Sequence, residues 1–211
     1  MISNKQIKEK GIFAKLLEKG IALILKKECS HIGKIKIDII ASSLQIINGI
    51  IENIYIIAEE INYKDLLFDK IELEGNDIKI KFKINNKELK FKNNPMIKFK
   101  ITLSENSLKT ILLSNNWNWI GDKISKGILN EDALEDIKIN NDQFIITTSK
   151  CNKTIHSKER VNIKINNGNI YLENQSYNKS IKIPIEEKVF INNVNIKNNL
   201  INIFAKSSIS F

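Results

Sequence analysis

The sequence predicts an α+β protein in which an elongated, strongly curved antiparallel sheet, or an open barrel, wraps around helices. Three observations predict it. Apolar residues recur at steps of three and four through residues 5–27. From Gly33 the period falls to two, the spacing of a strand with one buried and one wet face. Asn-rich pairs then punctuate the last third of the chain at hairpin-like intervals.

The helix over residues 5–27 rests on Ile7, Phe13, Leu16, Leu17, Ile21, Ile24 and Leu25, with Lys8, Glu9, Lys15, Glu18, Lys19, Lys26 and Lys27 at other angles. Such a face packs on the protein's own sheet; a basic amphipathic helix lying on a membrane surface is the alternative. Strands follow over about 33–103. Ile35, Ile37 and Ile39 alternate with Lys34, Lys36 and Asp38, and a corner spans Ser42 to Gly49. The run from Ile50 to Tyr63 holds neither Gly nor Pro, and its apolar residues fall on both faces near Ile54–Ile57, which predicts a bulge or two-sided burial. Further strands are expected at Ile71–Leu73, Ile78–Ile84, Leu89–Phe91 and Ile97–Leu103.

A helical pair is predicted over about 104–129, capped by Ser104 or Asn106 and broken at Asn115-Asn116. A strand meander over about 134–206 closes the chain, with turns at Asn140-Asn141-Asp142, Asn166-Asn167-Gly168 and Lys197-Asn198-Asn199. Pro184 marks an edge or a strand start, because it has no amide proton for a ladder. No linker or repeat divides residues 1–211, so one domain is expected.

The 211 residues carry 33 Lys and Arg against 24 Asp and Glu, a net charge of +9. Ile, Asn and Lys supply about half the chain, and Arg160 is the one arginine. That bias follows A/T-rich codons, and a dearth of arginine argues against nucleic acid as a partner, since forked contacts to phosphate and guanine favour Arg. Attraction to anionic lipid headgroups is the other use of such a charge. Cys29 and Cys151 make no disulfide framework. The N-terminus shows no secretory signal pattern, and no run approaches the roughly 18 apolar residues of a membrane-spanning helix. The expectation is a cytoplasmic protein, peripheral to a membrane if it meets one.

Residues for catalysis are scarce. There is no P-loop, dinucleotide fingerprint or nucleophile elbow. Cys29, His31, Cys151 and His156 have zinc-ligand chemistry but unusual spacing, so they read as separate residues and no metal or cofactor is expected. Glu131, Asp132, Glu135 and Asp136 read as a solvated turn. Trp117 and Trp119 sit about 200° apart on a helix, so both cannot face the same core; ordinary packing of both rings is the expectation, and an anchor at a membrane–water interface for a ring that does not pack with Ile120 is the alternative.

The span from Ile37 to Tyr63, with Ile39-Ile40-Ala41-Ser42-Ser43-Leu44-Gln45-Ile46-Ile47-Asn48-Gly49 at its core, resembles the opening strand, corner and second strand of LmeA-like phospholipid-binding proteins as they occur in cyanobacteria. Lys100–Leu103, Leu108, Leu112-Leu113-Ser114, Trp117 and Ile120–Lys123 resemble that family's central strand–helix signature. Ile181–Ile185, followed by Val189–Ile191, is similar to its proline-bearing late strand. The resemblance covers nearly the whole chain and implies a tubular lipid-binding fold with a partly hollow interior.

The functional expectation is therefore non-enzymatic binding of phospholipid or another acyl lipid, extending to transfer between membranes. Candidate lining residues are Ile35, Ile37, Ile39, Ile54, Ile56, Phe99, Ile101, Leu108 and Leu112, with Trp117 and Trp119 as membrane-interface candidates. A structural module with a solid core, docking an acidic partner protein or membrane complex, is the alternative.

Overall fold

A computed structural model describes residues 11–83, 88–131, 133–149, 156–174, 176 and 178–209. Among them are four helices and twelve strands, arranged in two antiparallel sheets. The α+β class and the antiparallel strands match the expectation. The single curved sheet does not: neither sheet closes on itself, and the chain builds two.

Helix α1 (Ile12–Glu28) leads into β1 (His31–Ile40), a short helix α2 (Ser43–Ile47), β2 (Ile50–Tyr63), β3 (Leu66–Lys83), β4 (Glu88–Phe91) and β5 (Met96–Ser104). The start of the expected first helix, with Ile7, lies outside the described residues. Helix α2 was expected only as a corner. It forms because Ser42 and Gln45 cap it reciprocally: the Ser42 hydroxyl accepts from the Gln45 amide, and the Gln45 side chain accepts from the Ser42 amide.

Strand β3 fuses two expected strands into one of 18 residues. The polar stretch Glu74–Asp77 looked like a break, but Gly75 lets the strand pass closely over its neighbours. A Cβ there would lie 2.7 Å from Ile97 Cδ1. Asp77, opposite Glu52, takes a left-handed φ of 50°, and Glu60 takes 55°. The bulge expected near Ile54–Ile57 does not form: β2 pairs with β1 and β3 there without a register shift, and the left-handed residues lie to either side of that stretch. Ile51 and Ile54, three apart, both join the core beneath α1, and Ala58 and Ile61, three apart, are both buried. The alternation steps by one at each site while the strand register holds.

Helices α3 (Glu105–Leu113) and α4 (Asn118–Leu129) follow. The Ser104 hydroxyl caps α3 by accepting from the Ser107 amide, and the Asp69 carboxylate accepts from both the Ser104 amide and its hydroxyl. Strands β6 (Ala133–Asn140), β7 (Gln143–Ser149), β8 (His156–Asn166), β9 (Asn169–Asn174) and β10 (Lys179–Lys182) form the expected meander, as a five-stranded sheet in the order β10-β9-β8-β7-β6. The turn residues Asn141-Asp142 and Asn167-Gly168 are left-handed, as a tight two-residue turn demands. Pro184 lies just past the edge strand β10, where no ladder bond is lost.

The last hairpin leaves the meander. Strands β11 (Val189–Lys197) and β12 (Leu200–Ser208) return to the first sheet, giving the order β1-β2-β3-β5-β12-β11, with β4 on the far end of β3. Strand β12 aligns Ile201, Ile203 and Ala205 with Leu103, Ile101 and Phe99 of β5, so apolar side chains meet row by row.

The six-stranded path has an inner and an outer face. The five-stranded sheet, α3 and α4 cover the inner face over β5, β12 and β11, forming the main core around Ile128, Ile137, Ile146 and Val161. A smaller core joins Ile170 to Ile191 and Ala205. Helix α1 covers the other half of that face, placing Leu17 and Ile21 against Ile39, Ile51, Ile78 and Ile80.

Candidate functional site

Between these three cores runs a band of inner-face residues that belongs to none of them. Ile35, Ile56, Ile71 and Leu73 lie on three adjacent strands and are only half-buried. Register places them together: Ile37 pairs with Ile56, Ile56 with Leu73, Leu73 with Phe99, and Ile71 with Ile101. The band exists because α1 is too narrow, and the second sheet too far along, to cover the middle of a sheet six strands wide.

The sequence-derived lining residues divide accordingly. Ile35 and Ile56 lie in the band, and Phe99 and Ile101 flank it while packing against neighbouring cores. Ile37, Ile39 and Ile54 pack under α1. Leu108 and Leu112 of α3 line a small internal void of about 120 Å³ between the helices and the two sheets, walled wholly by apolar residues. That volume falls below the roughly 300–1,000 Å³ of typical small-molecule sites. The nine residues therefore surround the middle of the inner face without enclosing one lumen.

A larger concavity crosses the outer face, with a volume of about 590 Å³. Tyr55, Ile57, Glu72, Glu74, Lys98, Lys100, Phe204 and Lys206 wall it, and Ile56, Leu73, Phe99 and Ala205, which lie between them on the same strands, line its floor. Ion pairs cross it from Lys98 to Glu74 at 3.7 Å and from Lys100 to Glu72 at 3.4 Å, and Lys70, on the same strand as Glu72, pairs with it at 2.9 Å. The Lys70 hydrogen bond, with Lys100 beside it, holds the Glu72 carboxyl below the usual carboxylate range against the opposing effect of burial. The Lys100 ammonium sits 5.7 Å from the Phe204 ring centre. So many fixed charges make a poor bed for an acyl chain. The sequence carries this groove's signal in the Lys/Glu alternation of β3 and β5.

Helix α1 departs most from expectation. Only Ala14 is fully buried, with Leu17 and Ile21 half-buried beside it. Ile12, Phe13, Leu16, Leu23 and Ile24 are exposed, as are Leu44 and Ile47 of α2. The apolar face expected to pack on the sheet does so along one stripe; Phe13, Leu16 and Ile24, read as part of that face, point to solvent.

The two tryptophans have different surroundings, and Trp117 is not placed as an interface residue. Trp117 packs against the main core and its indole Nε1 donates to the Lys64 carbonyl at 2.7 Å, whereas Trp119 is 47% exposed.

The remaining chemistry is dispersed. Cys29 and His31 stand at the β1 edge of one sheet, while His156 opens β8 of the other and Cys151 lies outside the described residues. Burial, with Glu28 nearby, pushes the Cys29 thiol up, away from thiolate reactivity. Among the described residues no three His, Cys, Asp or Glu side chains gather as a metal site. The acidic group after α4 is not the solvated turn expected: Glu131 is buried at 4% exposure, because α4 ends against β6 there and the Ser125 hydroxyl donates to the Glu131 carbonyl. Asp136 is bound by Lys109 at 2.6 Å and Lys138 at 3.5 Å, while Asp132 lies outside the described residues. No described helix is long and apolar enough to cross a membrane.

Comparisons with protein-family models, with curated proteins and with solved structures return no match to this chain.

Proposed function

We propose that this chain is a non-enzymatic lipid-binding domain that holds an acyl chain, as part of a phospholipid or another acyl lipid, along the inner face of its six-stranded sheet. The half-buried band of Ile35, Ile56, Ile71 and Leu73 carries the reading. It is apolar surface left between three well-formed cores, and covering it with hydrocarbon is worth about 0.8 kcal/mol per buried methylene. In this reading the lipid lies in the seam between α1 and the second sheet rather than in the hollow interior that the LmeA-like resemblance implies.

The test is titration of delipidated protein with a fluorescent fatty acyl probe in the absence of membranes. Saturable uptake, weakened at least tenfold by Ile56→Asn together with Leu73→Asn in a variant that keeps its thermal transition, supports the reading. Absence of uptake overturns it. That result would favour a solid-core docking module, which the small internal void of about 120 Å³ also suits.

A further inference from the structure

We propose that the exposed face of α1 and α2 docks on an anionic phospholipid bilayer. The inference deepens the lipid reading by naming the surface from which lipid is taken, but it stands on different residues.

A helix turns about 100° per residue, so Ile12, Leu16 and Leu23 lie on the side of α1 opposite Ala14, Leu17 and Ile21. Phe13 and Ile24 widen the outward stripe. Leu16, Leu23 and Ile24 are 60%, 69% and 61% exposed. Helix α2 lies against the start of α1, so close that a Cβ on Gly11 would meet Ser43 Oγ at 2.5 Å, and it adds Leu44 and Ile47. Large apolar residues gathered on one exposed surface mark a contact with another apolar phase.

Charge selects the occupant. Lys15, Lys19 and Lys26 form one flank of the outward stripe, and Lys27 stands within it. Of the two carboxylates on α1, Glu18 turns inward to accept from the Ile39 amide, leaving Glu28 as the exposed one. An apolar stripe edged by lysines is the pattern of a helix lying in a bilayer interface, with its side chains in the acyl boundary and its ammonium groups among anionic headgroups. A second copy suits the face less well, since pairing it with itself would set two net positive surfaces together.

The experiment is co-sedimentation of the full chain with vesicles of phosphatidylcholine alone, or of phosphatidylcholine with phosphatidylglycerol. Binding is expected to the anionic vesicles and to fall at least tenfold in phosphatidylcholine alone. It should also weaken as salt rises from about 0.1 M to 0.5 M. A triple variant Leu16→Ser, Leu23→Ser, Ile24→Ser should lose sedimentation at least tenfold while keeping its thermal transition and its uptake of the acyl probe. Lys15→Gln, Lys19→Gln, Lys26→Gln, an independent variant, should lose the preference for anionic vesicles. Three results would each overturn the proposal: no sedimentation of the wild type with anionic vesicles, undiminished sedimentation of both variants, or a wild-type dimer that the serine variant renders monomeric. Acyl uptake without sedimentation defeats docking alone, and sedimentation without uptake defeats the seam alone.

Discussion

The backbone amide of Ile39 donates to the Glu18 carboxylate at 2.9 Å, joining α1 to the outward edge of β1. An edge strand presents unpaired amides and carbonyls that invite another strand, and a carboxylate placed on one of them is a local block. The same device recurs in the second sheet, where the Ile139 amide of edge strand β6 donates to Glu105 of α3 at 2.6 Å. Each helix thereby holds its strand by hydrogen bonding as well as by packing. For α1, whose buried stripe is narrow, that bond fixes which face looks outward.

Replacing Glu18 should therefore do more than remove a surface charge. Glu18→Ala leaves the part-buried Ile39 amide without its carboxylate, at a cost of about 1–2 kcal/mol. Urea denaturation should show that loss, and size-exclusion chromatography should show new self-association through β1. A variant as stable and as monodisperse as the wild type would refute the role.

Gly49 ends α2 with a φ of 73°, and its carbonyl accepts from the Ile80 amide at 2.7 Å. A Cβ there would lie 2.1 Å from the Ile80 carbonyl oxygen. Gly49→Ala combines backbone strain with a backbone clash and should cost about 2 kcal/mol or more, read as a drop in the thermal midpoint.

Asp136 ties α3 to β6 through Lys109, whose hydrogen bond, aided by Lys138, holds its carboxyl below the ordinary range. A lowered folded-state pKa stabilises fully above the ordinary Asp value near 3.9 and loses that contribution as pH falls through the lowered value. Asp136→Asn should cost about 0.5–1 kcal/mol at neutral pH, given the partial exposure of the pair. In denaturation series from about pH 7 to pH 2, the gap to wild type should close at the acid end.

The tryptophans should respond differently to substitution. Trp117→Phe removes the donor to the Lys64 carbonyl and should destabilise by about 1–2 kcal/mol. Trp119→Ser should cost less, staying within about 1 kcal/mol of wild type in chemical denaturation, since the side chain is 47% exposed.

Local chemistry was the most legible layer of the sequence. The Asn pairs announced their turns because Asn tolerates left-handed backbone, and Ser104 announced α3. Ser42-Ser43-Leu44-Gln45 carried a capping box that, read as such, would have revealed α2. The Lys64-Asp65 turn was harder to see, since Lys gives little turn signal although both residues are left-handed.

Long-range pairing was not legible. Nothing within β11 and β12 says that they join β5 rather than continue the meander, because alternating Ile fits either sheet. The phase steps at Glu60 and Asp77 were hidden too, because Glu gives no left-handed signal and Gly75-Asn76-Asp77 reads as a turn between strands rather than as a step within one. The candidate surface divided in the same way. Strand alternation put Ile35 and Ile56 on one face, but how far α1 covers that face depends on packing between distant segments.

Native mass spectrometry of freshly purified protein tests the central claim most directly. The account predicts a stoichiometric adduct with the mass of a phospholipid or other acyl lipid, removed by delipidation and restored by added lipid. Protein that carries no such adduct when purified and takes up none when acyl lipid is supplied would contradict it.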